Sequence, residues 1–273
     1  GVGAAVLICA GLLLALVPAL DAAGATRRRA VVAAGVIAVA ALVCNVVLPQ
    51  QTETAYATYR VDAAAVPGLD AARVFRINNS PASIIDSAEP PRYARYIERL
   101  RRLLLDEMGL RDRSVLVLGA GGFTLSHREP LNHYTYVDID PAVKAIAERD
   151  FLREPVVGDF VVADARAWVR DTDTRHDAIV VDVFSALTSI PAHLVTREFW
   201  RATRHALKAD GVLAANLILD RDLASPYARN LLATIQAEYG ACAVEVLFRD
   251  RPQGNVLVIC AAAARADGQA PPE

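Results

Sequence analysis

Residues 114–122 read SVLVLGAGG, a short apolar run that ends in a glycine-rich turn. A run of this length, rich in valine and leucine and bounded by glycine, is typical of a strand buried in a parallel sheet. The same alternation of short apolar runs with helical patterns continues downstream. Strands are predicted at 134–137, 160–163, 178–181 and 211–217, and helices at 141–150, 196–208 and 224–239. Repeated β–α units of this kind predict an α/β fold with a mostly parallel sheet and helices on both faces.

The end of the chain refines this prediction. Two further strands are predicted at 243–248 and 255–260, and the link between them is short and polar. Such a link favours an antiparallel hairpin, because a parallel connection needs a much longer crossover. A Rossmann-like sheet that ends in this way is typical of class I methyltransferase-type folds.

A small β-rich subdomain is predicted before the sheet, at residues 49–90. A strand is expected at 54–61, and a hairpin at 73–77 and 82–85 around the turn Asn78-Asn79-Ser80-Pro81. Pro90 and Pro91 then precede a helix predicted at 92–108. The Rossmann-like domain is expected to cover 91–263, and residues 264–273 are expected to form a disordered tail.

The N-terminal 48 residues have a different composition. Residues 1–20 and 30–48 carry no charge, and a polar loop that ends in Arg27, Arg28 and Arg29 separates them. Each run has about the 20 residues that a bilayer-spanning helix needs. We therefore predict two transmembrane helices, the tail of a larger membrane region of bacterial inner-membrane type; a buried soluble helical hairpin is the alternative. The three arginines favour a cytoplasmic loop, which would put the later residues outside the cell. We nevertheless expect a cytoplasmic domain, because the residues after 48 imply a small-molecule ligand that is made in the cytosol.

Composition excludes several classes of function. The 29 Lys and Arg residues are balanced by 31 Asp and Glu, and the net charge of −2 gives no reason to expect a nucleic-acid partner. With 54% apolar and 22% charged residues, the chain is not of the disordered type. Its four cysteines form neither a C-x-x-C motif nor a Cys/His cluster, so neither a disulfide framework nor a structural metal site is expected.

Four groups fall at the carboxyl ends of predicted strands, where open α/β sheets bind ligands. Gly119, Gly121 and Gly122 follow the first strand and either approach a ligand closely or merely form a tight turn. Asp138 ends the second strand, where a carboxylate can accept hydrogen bonds from both hydroxyls of a ribose. Asp140 competes for this role, but it precedes a proline and is better suited to capping the next helix.

The other two strand ends also carry carboxylates. Asp164 ends the third strand and either contacts an adenine amino group, with Ala165 supplying a backbone N–H, or caps the following helix. Asp182 ends the fourth strand, after three β-branched or apolar residues that run through the core. A carboxylate there can orient a cationic amine and accept its proton; a purely structural role in the following loop is the alternative.

Together these residues resemble the spermidine synthase family of aminopropyltransferases, from about residue 73 to residue 260. The most specific stretch reads DVFS at 182–185, IPAHL at 190–194 and TREF at 196–199. The chain is similar to the branch of the family that is fused to membrane segments. The resemblance implies that the glycine loop and Asp138 hold decarboxylated S-adenosylmethionine as a co-substrate, with no tightly bound cofactor and no metal. It also implies that Asp164 contacts adenine, that Asp182 activates a small-molecule amine acceptor, and that the protein is a homodimer.

The chain departs from the family on the amine side of the site. No acid occurs between Leu118 and Arg128, where the family has an aspartate that binds the aminopropyl amine. Ser185 stands where the family has a second aspartate, and Ala82 stands where its hairpin presents a glutamine. Tyr93 matches a tyrosine at the family's substrate gate, so Tyr93 and Ser185 are the candidate substrate contacts.

Three functions therefore remain open. The first is a membrane-anchored aminopropyltransferase. The second is an S-adenosylmethionine-dependent methyltransferase on the same fold, because the missing aspartate leaves room for a methionine carboxylate at the glycine loop. The third is a catalytically weak nucleoside or polyamine sensor attached to a membrane protein.

Overall fold

The computed structural model describes residues 11, 32–39, 51–66, 68–183, 191–248 and 250–262. The two predicted transmembrane helices fall mostly outside these residues, as does the predicted tail at 264–273. Residues 32–39 are helical. Within the described ranges, no helix combines the length and the apolar character that crossing a bilayer requires. The two membrane spans therefore stay a prediction without structural support.

The N-terminal part of the described chain is a four-stranded antiparallel sheet. It consists of β1 (Gln51–Glu53), β2 (Thr58–Val66), β3 (Leu69–Ile77) and β4 (Ser80–Asp86), in that order. The turn between β3 and β4 lies at Asn78 and Asn79, whose positive φ angles of 50° and 66° are ones that asparagine tolerates. The strand predicted at 54–61 begins at 58 instead, because the Thr54 hydroxyl accepts a hydrogen bond from the Ala57 amide and closes a turn.

A helix connects the two sheets. Helix α1 (Arg95–Arg101) continues as a π-helical stretch, Arg102–Glu107, and stops before Gly109, which has a positive φ of 64°. The helix begins three residues later than the sequence predicts, because Tyr93 is still extended and pairs with Ile85 of β4.

The second sheet has seven strands, in the order β10-β11-β9-β8-β5-β6-β7. Strands β5 to β9 are parallel to one another, whereas β10 and β11 form an antiparallel hairpin whose strand β11 is also antiparallel to β9. This confirms the predicted Rossmann-like α/β fold with its terminal hairpin. The strands are β5 (Ser114–Leu118), β6 (His133–Asp138), β7 (Asp159–Val162), β8 (His176–Val181), β9 (Leu207–Asp220), β10 (Cys242–Val246) and β11 (Gln253–Ala261).

Helices cover both faces of this sheet and produce two cores. Along β5, Val115 and Val117 belong to one buried cluster, and Leu116 and Leu118 belong to the other. Since successive side chains of a strand point to opposite faces, a strand with two buried faces must be apolar throughout. The helices are α2 (Val143–Ile146, followed by the π-helical Ala147–Leu152), α3 (Ala165–Asp171), α4 (Arg197–His205) and α5 (Pro226–Tyr239).

The chain order of the strands reverses at β5. The chain passes from β5 to β6 and β7 on one side, and then returns to β8 and β9 on the other. In open α/β sheets the crevice at such a reversal, outside the carboxyl ends of the strands, is the usual ligand site. Strands β5 and β8 end side by side there, because Leu118 is paired with Val181.

The terminal hairpin contains a disulfide bond. The register of β10 and β11 places Cys242 directly opposite Cys260, and a disulfide joins them. This disulfide was not predicted from the sequence, since spacing along the chain does not give the register of a hairpin.

Candidate active site

Asp182 lies at the reversal point, directly after β8 and against the end of β5. Its backbone amide donates to the carbonyl of Leu118 at 2.8 Å. Gly119 follows Leu118 with a φ of 88°, and a Cβ at this position would overlap the carbonyl of Asp182. Glycine is therefore required here for two reasons, since its backbone conformation disfavours other residues and its neighbour leaves no space.

The carboxylate of Asp182 is buried and held by two side chains from distant elements. Tyr96 of α1 donates its hydroxyl to Oδ2 at 3.0 Å, and Asn216 of β9 donates its amide to Oδ1 at 2.8 Å. The Asn216 side chain is held in turn by Asn255 of β11, whose amide donates to its carbonyl oxygen at 2.9 Å. This chain of hydrogen bonds fixes the orientation of the carboxylate.

Burial changes the acid–base behaviour of this group. The loss of solvent raises the pKa of Asp182 to about 6, against the opposing effect of the hydrogen bonds from Asn216 and Tyr96. Burial, and then the charge of Asp182, raise the pKa of Tyr96 well above its ordinary value, so the tyrosine stays a hydrogen-bond donor. A carboxylate with a pKa near 6 can accept a proton and release it again near neutral pH.

A small cavity adjoins Asp182. Its volume of about 10 Å³ is about the minimum that can hold one water molecule. Gly119, Ala120 and Tyr96 line it together with Asp182. Ser185, a predicted substrate contact, lies outside the described residues, as does the rest of 184–190.

Asp138 ends β6 beside the glycine loop, and backbone groups orient its carboxylate. Oδ2 accepts the amide of Ala120 at 2.9 Å, and Oδ1 accepts the amide of Asp140 at 3.0 Å. Burial raises its pKa, although these backbone hydrogen bonds oppose the change. Each oxygen keeps further acceptor capacity, so a pair of ribose hydroxyls can bind without disturbing the existing hydrogen bonds.

Asp140 has a structural position. One carboxylate oxygen accepts the amide of Ala142 at 2.9 Å, and the other accepts the hydroxyls of Tyr59 at 2.8 Å and Thr54 at 2.5 Å. Its exposed fraction is 1%. Asp140 therefore ties the N-terminal sheet to the start of α2, and its acceptor sites are engaged within the protein.

The rest of the glycine loop faces the N-terminal sheet. The amide of Gly122 donates to the hydroxyl of Ser83 at 2.9 Å, and a Cβ on Gly122 would overlap Phe151 and Ser83. Gly121 has a φ of 50° and also lies next to Ser83. Of the three predicted glycines, Gly119 is the one that lines the cavity beside Asp182.

Asp164 and Ala165 start helix α3. Asp164 caps the helix, since its Oδ1 accepts the amide of Ala167 at 2.9 Å. Its Oδ2 lies 3.3 Å from Nε2 of His193, and the side chain is 39% exposed. The cap uses one oxygen, and the other, although it lies near His193, is partly exposed and keeps acceptor capacity for a ligand amino group at the carboxyl edge of the sheet.

Tyr93 and Tyr96 occupy different environments. The hydroxyl of Tyr93 lies 2.8 Å from Nδ1 of His127, and both side chains are buried. Tyr96, three residues later, contacts Asp182, a role that its place in the predicted helix at 92–108 does not indicate. Asn216 was also missed, and its signal was a lone amide within the apolar run of β9, because such a buried polar group needs a partner.

Known proteins resemble both the sequence and the fold. No family model matches the chain. The polyamine aminopropyltransferase of Vibrio vulnificus is 37% identical over 110 residues, which are 37% of this chain and 36% of that protein. Polyamine aminopropyltransferase 2 of Hyperthermus butylicus is 34% identical over 114 residues, which are 37% of each chain. The chain thus spans little more than a third of the length of these curated relatives.

Two solved structures match over a larger part. A probable spermidine synthase from Corynebacterium glutamicum has a TM-score of 0.66 at 21% identity and covers 78% of this chain and 80% of its own. A spermidine synthase in complex with the transition-state analogue AdoDATO has a TM-score of 0.60 at 18% identity. The match covers 79% of this chain and 74% of that protein. At these identities the match shows the fold alone. The comparisons confirm the predicted resemblance to the polyamine aminopropyltransferase family, but not to its membrane-fused branch.

Proposed function

We propose that this chain is a membrane-anchored aminopropyltransferase of the spermidine synthase type. It would move an aminopropyl group from decarboxylated S-adenosylmethionine to a small amine. The similarity in sequence to polyamine aminopropyltransferases supports this proposal, as does the fold that it shares with spermidine synthases.

The observation that carries the proposal is the environment of Asp182. A buried carboxylate at the reversal point of the sheet, held by Tyr96 and Asn216 and with a pKa of about 6, suits the binding and deprotonation of an amine. Asp138 lies at the end of β6, which is separated from β8 by β5 alone, and its carboxylate has the free acceptor capacity that a ribose needs.

In the proposed reaction the acceptor binds as an ammonium ion against Asp182 and gives it one proton. The amine nitrogen then attacks the methylene carbon that joins the aminopropyl group to the sulfonium of the donor. The N–C bond forms, the C–S bond breaks, and its electron pair goes to sulfur, so that neutral methylthioadenosine leaves. The contribution of the protein is to align the two reactants and to hold the proton.

A methyltransferase is the second candidate, and one feature favours it. No carboxylate occurs in the glycine loop from Gly119 to His127, so nothing in this loop binds the ammonium of an aminopropyl group. The same loop would accept the carboxylate of unmodified S-adenosylmethionine more readily than a loop with an aspartate.

The deciding experiment supplies both donors. The purified full chain is incubated with putrescine and either decarboxylated or unmodified S-adenosylmethionine, and mass spectrometry follows the nucleoside and amine products. We expect methylthioadenosine and aminopropylated putrescine in equal amounts, from the decarboxylated donor alone.

Two other results would contradict the proposal. Formation of S-adenosylhomocysteine from the unmodified donor would favour the methyltransferase. Binding of the nucleoside without turnover, for putrescine and for a panel of other amines, would favour the sensor.

We further propose that the domain is attached to a membrane through residues 1–48, faces the cytoplasm and forms a homodimer. The two uncharged runs support the attachment, and the cytosolic origin of the donor supports the orientation. Two observations oppose this orientation: the arginine-rich loop at 27–29, and the disulfide between Cys242 and Cys260, a bond that persists mainly in oxidising compartments.

A further inference from the structure

A second cavity lies between the N-terminal sheet and the π-helical end of α2. Its volume is about 330 Å³, within the range of small-molecule sites. It shares no lining residue with the cavity beside Asp182. We call it the arginine pocket, because Arg60 of β2, Arg73 of β3, and Arg149 and Arg153 at the end of the helix line it.

Two of these four arginines are neutralised within the protein. Arg149 forms a two-pronged ion pair with Asp150, with N–O distances of 2.8 and 2.6 Å. Arg60 forms an ion pair with Asp62 at 2.9 Å. These two therefore contribute little net charge to the pocket.

The other two arginines leave an excess of positive charge. Arg73 donates to the carbonyl of Phe151 at 2.7 Å and to the hydroxyl of Ser87 at 3.0 Å, and both acceptors are neutral. Arg153 has no hydrogen-bond or ion-pair partner among the described residues. Burial, and then the positive charge of Arg153, lower the pKa of Arg73, and the negative charge of Glu154 opposes this change.

The carboxylate nearest in sequence offsets only part of this excess. Glu154 follows Arg153, but its Oε1 is engaged by Arg128 at 3.1 Å and by His127. Two like charges that face one cavity destabilise each other unless an anion lies between them.

We propose that the arginine pocket binds a phosphate-bearing anion. An excess of about two positive charges matches a phosphate monoester, which carries about −1.5 to −2 at neutral pH. Guanidinium groups suit this ligand, because their planar N–H donors bind two phosphate oxygens at once. The apolar side chains of Val61 and Ile146 complete the wall and leave room for a carbon substituent on the phosphate.

The phosphate has two possible sources, a free phosphate compound or the headgroup of an anionic lipid. Thr52 of β1 lines the pocket, and the second predicted membrane run ends at Leu48. Four extended residues span at most about 14 Å. If that run crosses the bilayer, the pocket is within reach of the headgroups.

The test measures binding to the full chain, purified in a non-ionic detergent. The probes are inorganic phosphate and short-chain phosphatidic acid, with short-chain phosphatidylcholine as the neutral lipid. We expect saturable binding of at least one phosphate probe, seen as a rise in melting temperature with concentration at constant ionic strength. Comparable affinity for both phosphate probes indicates a free phosphate compound, and binding of phosphatidic acid alone indicates a lipid headgroup.

The variant is Arg153→Asn. Arg153 is exposed and has a left-handed backbone with φ 63°, which asparagine tolerates, so the variant should fold normally. Its affinity should fall about tenfold or more, as expected for a lost charge-assisted hydrogen bond. Arg170→Asn is the matched control, because Arg170 is exposed and pairs with its neighbour Asp171 on another helix. Absence of binding by both phosphate probes, or equal binding by wild type and Arg153→Asn, would overturn the proposal.

Discussion

Asp182 links the acid–base chemistry of the site to its pH dependence. Its pKa of about 6 means that the ionised, proton-accepting form predominates above pH 6. Turnover should therefore rise about tenfold per pH unit below pH 6 and level off above it. Asp182→Asn should lower turnover by about 10² to 10⁴ and remove this pH dependence, as measured by kcat between pH 5 and pH 8.

The same substitution should not weaken the fold at neutral pH. Because the pKa of Asp182 is raised on folding, stability falls as pH rises from about 4 to 6, and the ionised carboxylate costs up to about 3 kcal/mol above pH 6. An asparagine can accept from Asn216 and donate to the oxygen of Tyr96 without this cost. We expect its free energy of unfolding at pH 7.5 to equal or exceed that of the wild type.

Asp177→Asn is the control for this pair of measurements. Asp177 lies in β8, at the end away from Asp182, where its carboxylate accepts from the amide of Ser114 at 2.9 Å and from Lys208 at 2.8 Å. This variant should lose stability and keep its turnover per folded molecule. If Asp182→Asn behaved in that way instead, the role of Asp182 would be structural.

Among the elements, the glycine loop after β5 determines how closely β5 and β8 meet. Gly119→Ala places a Cβ against the carbonyl of Asp182 and also forces a φ of 88° on a residue that avoids it. We expect the free energy of unfolding to fall by well over 1 kcal/mol in chemical denaturation, with lower turnover because Asp182 is displaced.

Gly109→Ala separates the two causes. Gly109 also has a positive φ, of 64°, but a Cβ there would meet no atom within 4 Å. This variant should cost about 1 kcal/mol from backbone strain alone and leave turnover unchanged. Equal costs at the two positions would mean that the contact with Asp182 relaxes easily.

The elements also show which features the sequence can predict. The strands that end at Asp138 and just before Asp182 were found because a buried parallel strand is largely apolar and a polar residue marks its end. The strand before Asp164 lies at the edge of the sheet and is not buried, and its short apolar run was enough to predict it. Tyr96 and Asn216 reach the site from α1 and β9, and only the tertiary fold brings them to Asp182. The number of residues between Cys242 and Cys260 likewise does not determine the register of β10 and β11, so their disulfide was not predicted.

At the scale of the whole molecule, the side of the membrane on which the domain lies is open to a direct test. If residues 1–48 are a membrane anchor, the full chain should stay in the membrane fraction after a carbonate wash. If the domain also faces the cytoplasm, Cys242 and Cys260 should be thiols in living cells. Acid quenching of the cells, followed by a maleimide that adds mass, should then label both cysteines, in a background where Cys9 and Cys44 are replaced by serine.

The fold is compatible with the reduced state, because five residue pairs hold β10 against β11 whether or not the sulfur atoms are bonded. A Cys242→Ser variant in the same background is the control, and it should accept one maleimide at Cys260 after denaturation. If Cys242 and Cys260, in the chain that keeps both, could be labelled only after a reductant is added, this result would contradict the cytoplasmic orientation. The arginine-rich loop and the disulfide would then agree on an external domain, and a donor made in the cytosol would no longer reach Asp182.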